Sequence, residues 1–520
     1  MTASEPEASA SVYADPMKVL RGERLAGLAM VLFIVINLTL MGLRLVNKPF
    51  NPDEMQHAHI AWTIAQGEIL YRDFWDHHGP FYNLMNGALI FLTDPAPSLR
   101  LLFVARSASF IAMLAVLGLT WRIARELQLS RLTSLLAVTV FASLYFLQNK
   151  GVEARPDVLQ SLFWIAGLYL MLRNQQRGSW RRAVAGGVLF TLAILTNAKA
   201  GIGPFFVVVY YLIAPVTLGM PARDWWRDMA GMALGLALTA TPFLAYFYFT
   251  DSLADFFYYN FLFAVQLTYY WSVGDQSAYA IREAGLAVEY AVFFLQYQLP
   301  FVLATLLGVA LWWPRVAGQE PGSRRAGALF LLATVGTSAG WVANLFSQFF
   351  LIFLPLLSVF AAVGLTAAAG WLTRRLQGAG AVVTGLGAAA AAAAMLWYPL
   401  ANATFTPTRL LTEQLAFTEK FVGLTDRDEA VGVIWSTCGG YVFNRNIGFY
   451  WVAMPGISEL LEVITGEHPF GEAFIQQLEQ QQVRYVIGRQ DWMTEGLTPA
   501  ALDYLNSRFS YTHCLWTRRP

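Results

Sequence analysis

Long apolar stretches recur along this chain, separated by short segments in which arginine, aspartate and proline gather. Residues 25–46 and 101–121 are two of them, each about twenty residues long, enough to cross a hydrocarbon layer about 30 Å thick at 1.5 Å per residue. The pattern predicts membrane-spanning helices rather than a soluble core. Residues 25–46 begin too far in and run too long for a cleaved signal sequence, and no small-residue cleavage site follows, so they read as a retained span.

The distribution of arginine orients these helices. Lys18, Arg21 and Arg24 precede the first span and place residues 1–24 in the cytoplasm. Residues 101–121 end in Arg122, Arg125 and Arg131, which belong on the same side. One apolar run intervenes, residues 81–92, of about 18 Å as a helix. If it crossed, the basic segment after it would lie outside, so it reads as a juxtamembrane or re-entrant part of a first outer loop, residues 47–99. Carried forward through the clusters near Arg177, Arg223, Arg324 and Arg374, the rule yields about eleven spans within residues 25–400.

After residue 400 the periodicity changes. Residues 474–482 have a helical pattern, and residues 431–435 and 483–487 read as short strands. The expectation is an all-α polytopic membrane module followed by a small extracytoplasmic α/β domain, residues 401–520. Cys438 and Cys514, the two cysteines of the chain, both fall in that domain. An oxidising compartment would permit a bridge, although spacing alone leaves open whether they meet.

Composition agrees with the pattern: 56% of residues are hydrophobic, 13% are charged and the formal net charge is +1. A charge so near zero implies no nucleic-acid partner.

The chemistry concentrates in the first outer loop. It holds four of the six histidines, His57, His59, His77 and His78, with Asp53, Glu54, Glu68, Asp73 and Asp76. Residues 53–66 read as a short amphipathic helix with Pro52 at its start and Gly67 beyond its end. Asp53 and His57 are then one turn apart on one face. The sequence Trp75-Asp76-His77-His78-Gly79-Pro80 closes the loop. Asp53 with His57, or His77 with His78, offers oxygen and nitrogen ligands to a divalent cation such as Mn, Mg or Zn. A second polar site, Glu153-Ala154-Arg155-Pro156-Asp157, stands at the next outer turn, where Arg155 pairing with Asp157 as a clamp competes with a functional role. Arg106 lies within two turns of a span's outer end, where snorkelling explains it. The loop of residues 250–289, with Tyr258, Tyr259, Tyr269, Tyr270 and Trp271, suits a lid or an interfacial aromatic belt.

Pro52-Asp53-Glu54, then His77-His78-Gly79-Pro80, then Arg155-Pro156-Asp157 form an ordered set. It resembles the GT-C membrane glycosyltransferases, in particular the protein mannosyltransferase and lipid A aminoarabinose transferase group. The resemblance covers roughly the first 220 residues, and Ser347-Gln348 through Pro355 is similar to a late helix of the group. It implies a polyprenyl-phosphate sugar as donor and a glycan, lipid or protein as acceptor, on the extracytoplasmic face of the inner or plasma membrane. It further implies Asp53 as the catalytic carboxylate, with Glu54 beside it and Asp157 as a second acid. His77 and His78 stand where the group has a Lys-Pro-Pro segment that contacts donor phosphate. Gln348 stands where a basic residue is more usual.

Transfer from a lipid phosphate needs a base for the acceptor hydroxyl, which Asp53 supplies. It also needs positive charge at the departing phosphate, which His78, Arg155, Lys199 or a bound cation supplies. A single displacement inverts the anomeric carbon. The competing expectation is a transporter or flippase of a lipid-linked sugar. Transporters favour midplane charges and internal repeats; here no repeat is visible and the polar clusters lie at the outer surface.

Overall fold

The computed structural model describes residues 16–263, 265–266, 288–290, 292–340, 347–375, 377–435, 437–454, 457–490 and 496–520. Most of residues 250–289, including Tyr269, Tyr270 and Trp271, lie outside the described residues.

The first part of the chain is helical: α1 Pro16–Asn47, α2 Pro52–Ala65, α3 Pro80–Thr93, α4 Leu101–Glu126, α5 Arg131–Ser143, α6 Tyr145–Lys150, α7 Pro156–Arg177, α8 Trp180–Thr196, α9 Ile202–Thr217 and α10 Ala222–Phe249. Further long helices are Leu299–Ala317, Pro321–Gly340, Leu354–Arg375 and Gln377–Ala401. Among the described residues, 6 helices are long and apolar enough to cross a membrane. They carry exposed leucines and phenylalanines such as Leu28, Leu32, Phe205 and Leu238 on their outer faces. Helices that expose such side chains need an apolar solvent. The protein is an integral membrane protein.

Helix α7 lies inside the bundle, with Trp164, Leu168, Met171 and Leu172 fully buried. It packs on α4 and α8, and α8 packs on α10. The last contact is close because of Gly235: a Cβ there would lie 2.1 Å from the carbonyl oxygen of Val184 on α8. Small residues at such crossings let backbones approach where lipid supplies no hydrophobic drive.

Residues 430–518 carry a mixed sheet. Its strands are β1 Ala430–Ile434, β2 Arg445–Asn446, β3 Val452–Ala453, β4 Tyr485–Ile487, β5 Phe509–Thr512 and β6 Leu515–Arg518. The order is β2-β1-β4-β6-β5, with β3 also on β1. β1 runs parallel to β2, β3 and β4, whereas β6 runs antiparallel to β4 and β5. The helices Ile457–Thr465, Glu472–Gln480 and Pro499–Arg508 flank it. Cys438 and Cys514 form a disulfide with Cα atoms 6.2 Å apart, so spatial reach, the one point spacing left open, is met.

One apolar core joins the sheet to the loop between α1 and α4. Met55, Trp62, Leu70, Tyr71, Phe74 and Trp75 pack in the same cluster as Val433, Tyr441, Val442 and Trp451. Hydrogen bonds sew the same interface. Trp451 Nε1 donates to the Trp75 carbonyl (3.0 Å), and Trp75 N donates to the Phe449 carbonyl (2.9 Å). Gln414 accepts from Phe50 N (2.8 Å) and donates to the Phe50 carbonyl (2.9 Å). The acid- and histidine-rich segment is therefore an interior layer between helices and sheet rather than a wet surface loop.

Candidate active site

Helix α2 starts where local chemistry dictates. Asn51 Oδ1 accepts from Asp53 N (3.0 Å), and Glu54 Oε2 accepts from Asn51 N (2.9 Å), a reciprocal cap with Pro52 in the first turn. The helix runs to Ala65, and Gly67 follows at φ 97°. Asp53 and His57 come out on one face.

Glu54 does not share the environment of Asp53. It is fully buried, and Arg106, also fully buried, donates to it twice, Nε to Oε1 (2.8 Å) and NH2 to Oε2 (2.7 Å). Ala154 N adds a bond to Oε1 (2.7 Å). With Asn51 N on Oε2, four donors occupy the roughly four acceptor sites of a carboxylate. Glu54 thus has its lone pairs taken up by protein donors and holds the chain as a clamp beside Asp53. The expectation for Arg106 is corrected. It does not snorkel, but also donates to the carbonyls of Leu45 (3.0 Å), Lys48 (2.8 Å) and Pro49 (2.8 Å), closing the chain between α1 and α2.

Three consecutive residues of the turn before α7 grip the segment from the end of α1 to the start of α2. Glu153 pairs with Lys48, Ala154 bonds Glu54, and Arg155 pairs with Asp53. Burial draws the Lys48 ammonium down to about 8, while Glu153 pushes it back up. Arg155 also reaches Asp157 through Nε (3.2 Å), so one guanidinium joins Asp53 and Asp157. Arg155 and Asp157 are nearly enclosed, at 7% and 5% side-chain exposure, whereas Asp53 keeps 25%. Asp53 is the open member of the trio. Burial raises its pKa, against the lowering effect of Arg155.

The second cluster lies around Asp76. This buried carboxylate accepts from His77 N (2.8 Å), His78 N (3.2 Å) and His78 Nδ1 (2.9 Å) on Oδ1, and from Asn83 Nδ2 (2.7 Å) on Oδ2. Its pKa is raised by burial. A carboxylate only accepts, so the amide of Asn83 must face it, which turns Asn83 Oδ1 toward His57 Nδ1 (3.0 Å). His57 Nδ1 then carries the proton and Nε2 a lone pair. The same argument puts a proton on His78 Nδ1 and a lone pair on its Nε2. Burial lowers the pKa of all three histidines, that of His78 to about 3. The rings of His57 and His77 lie 4.5 Å and 4.0 Å from that of His78.

Asp76, His77 and His78 offer ligand atoms within 4.8 Å of one another and form a group able to hold a divalent cation. Asp53 and His57 are not members of that group. Asp53 is engaged by Arg155 and His57 Nδ1 by Asn83. Lys199 follows α8, with Nζ 4.4 Å from the ring centroid of Phe349. The backbone of Gln348 belongs to the turn Ser347–Ile352, and its side chain lies outside the described residues.

Between α2, α3 and α4 opens a cavity of about 280 Å³ with mostly apolar walls, Leu89, Leu102 and Phe443 among them, and with Glu54, His57 and Tyr82 also lining it. The sheet domain supplies Val442 and Phe443 to the cavity. No sequence signal pointed to either residue. His59, whose role the sequence left open, binds the Val442 carbonyl (3.1 Å) and Asn446 Oδ1 (2.6 Å) and docks that domain.

The bundle, with two polar segments that bring paired acids together beneath a C-terminal domain, resembles known membrane glycosyltransferases in the comparisons. Residues 99–246 match the family described as dolichyl-phosphate-mannose-protein mannosyltransferase. The structure of ArnT from Cupriavidus metallidurans in the apo state is similar at TM-score 0.56 and 14% identity, covering 94% of this chain and 96% of that one. The same protein bound to undecaprenyl phosphate is similar at TM-score 0.51 and 14% identity, covering 89% and 96%. The archaeal oligosaccharyltransferase AglB from Archaeoglobus fulgidus, in complex with an inhibitory peptide and a dolichol-phosphate, is similar at 0.55 and 13% identity, covering 88% and 69%. No curated protein matches in sequence. The chain resembles these transferases and shares their fold.

Proposed function

We propose that this protein transfers a monosaccharide from a polyprenyl-phosphate donor to an acceptor hydroxyl on the extracytoplasmic face, with inversion. The observation that carries the reading is the pairing of Asp53 and Asp157 through Arg155, which leaves Asp53 the more open acid. Asp53 takes the acceptor proton, and its raised pKa brings it nearer to working pH as a base. Arg155, Lys199, His78 and Gln348 belong to the phosphate end of the donor. The apolar cavity between α2, α3 and α4 supports a lipid-linked substrate, because it offers greasy walls beside polar groups. The match to a dolichyl-phosphate-mannose-dependent family, and a similar fold solved with undecaprenyl phosphate, support the same donor class.

The working arrangement has a cytoplasmic tail of residues 1–24, about eleven spans in residues 25–400 and an outer domain of residues 401–520. The Cys438–Cys514 disulfide supports an oxidising exterior for that domain. Asp53→Asn in purified protein, assayed with synthetic polyprenyl-phosphate sugars and envelope glycan, lipid or protein acceptors, tests the reading. Transfer should fall by at least about a hundredfold, the usual scale for losing a general base. Transfer at the unaltered rate would remove Asp53 from the chemistry, and flipping of the lipid-linked sugar without transfer would place the protein among transporters.

A further inference from the structure

The turn from α7 into α8 gathers charge that the reacting groups do not use. Residues 173–182 hold four arginines, Arg173, Arg177, Arg181 and Arg182, and no acid. Asp157 opens α7 and Arg177 closes it, about 30 Å apart at 1.5 Å per residue, which is the thickness of a hydrocarbon layer. The four arginines therefore lie at the membrane surface opposite Asp157. Arg227 of α10 packs on Gly178 in this turn, where a Cβ would lie 2.2 Å from its guanidinium, and Arg325 donates to the Gln175 carbonyl (3.3 Å). Near the same ends of α8, α10 and the helix Leu299–Ala317 stand Trp180, Trp226 and Trp313, all exposed. Tryptophans take that place at the level of lipid headgroups.

The acids nearby are committed elsewhere. Asp228 accepts from Asn174 Nδ2 (2.7 Å) and Arg227 Nε (2.8 Å) on Oδ1. Its Oδ2 accepts from the Tyr211 hydroxyl (2.9 Å) and Gln175 Nε2 (3.3 Å), which fills the carboxylate. Asp224 pairs with Arg227 (2.8 Å) and Arg325 (3.8 Å). Glu126 ends α4 beside Gln176, whose amide donates to its backbone carbonyl (2.7 Å), and it forms no ion pair with the turn among the described residues. Arg182 instead donates to the Arg177 carbonyl (2.7 Å) and Asn174 Oδ1 (3.4 Å). Arg173 Nε is buried without a hydrogen-bond partner. The turn keeps an excess of fixed positive charge, part of it withdrawn from water.

Guanidinium groups grip phosphate through paired hydrogen bonds, and basic clusters at headgroup level attract anionic lipid. We propose that the α7–α8 turn binds the headgroup phosphate of an anionic phospholipid. Arg177 and Arg181 are its exposed contacts, with the half-buried Arg173 and Arg182 behind them. A free anion would use the arginines alone, whereas a lipid also uses the exposed tryptophans beside them. The site does not rest on the glycosyltransfer reading.

The test uses full-length protein delipidated in a neutral detergent, with native mass spectrometry to count bound lipid and a thermal melt to follow stability. Phosphatidylglycerol should stay bound at one equivalent or more and raise the unfolding midpoint. Phosphatidylcholine, which carries no net charge, should do neither. Arg177→Gln/Arg181→Gln should weaken phosphatidylglycerol binding about thirtyfold, roughly a factor of five for each arginine. Arg374→Gln/Arg375→Gln, which removes two exposed arginines from the end of the helix Leu354–Arg375, should leave binding unchanged. Equal losses in the two double variants would mean diffuse surface charge and overturn the site, as would equal retention of the two lipids. Millimolar inorganic phosphate that stabilises the protein as fully as phosphatidylglycerol would overturn the lipid as its source. If Arg177→Gln/Arg181→Gln does not fold, Arg177→Lys/Arg181→Lys keeps the charge and loses the planar fork, so it should bind several-fold more weakly. Binding of that variant at the unaltered strength would overturn the site.

Discussion

Asp53 and Glu54 are adjacent acids with opposite fates, and the difference is measurable. Glu54 balances a buried guanidinium, so Glu54→Ala would leave Arg106 unpaired in the interior at a cost of about 3–5 kcal/mol. The expected outcome is a lower unfolding midpoint together with lost transfer, whereas Asp53→Asn should lose transfer and keep its midpoint. A Glu54→Ala protein as stable as the parent would show that the clamp contributes little. pH discriminates further. Because burial holds the Asp53 pKa above its ordinary value of 3.8, the acid limb of transfer should lie above that value and vanish in Asp53→Asn. A limb at or below the ordinary carboxylate value would mean that another group titrates. The sequence showed both acids, but the arginine that separates them lies 52 positions from Glu54, and no local pattern joins them.

At the scale of elements, α3 is decisive. It has 14 residues, about 21 Å of helix, with Leu89, Phe91 and Leu92 exposed. Its length and its proline start were legible in the hydrophobic pattern and in Gly79-Pro80. Its place was not. Gly79 lies so close to the end of α8 that a Cβ would come within 2.3 Å of the Leu195 carbonyl oxygen. Gly79→Ala should therefore displace the Asp76–His78 turn, lower the unfolding midpoint by the equivalent of about 1–3 kcal/mol and reduce transfer. Unchanged stability and activity would show that α3 moves freely against α8. The start of α2, by contrast, was readable from Asn51, Pro52 and Glu54, because capping is local chemistry.

At the scale of the molecule, the sheet domain roofs the site and is held by side chains distant in sequence. The Cys438–Cys514 bridge closes a separation of 76 residues and ties the turn beneath Tyr441 to the hairpin of β5 and β6. Cys438→Ser should destabilise the domain by about 4.5 kcal/mol on the chain-entropy estimate. Domain melting monitored by tryptophan fluorescence, with and without reductant, measures it; identical curves would make the bridge dispensable. Orientation is a whole-molecule property too. A reporter fused after Arg125 should read cytoplasmic, and an outer reading would invert the bundle.

The sequence by itself determined that the chain inhabits a membrane, where α2 begins, and that a sheet-bearing segment follows. Those features follow from hydropathy, charge and capping, which act over a few residues or along one helix. It also marked Asp53, Asp157 and the histidine pair as an ordered set. Only the tertiary structure decided their partnerships: Arg106 on Glu54, Arg155 between two acids, Asn83 between Asp76 and His57, and His59 turned away to dock the sheet domain. Each joins side chains from different segments, and burial selects among the pairings that charge alone permits.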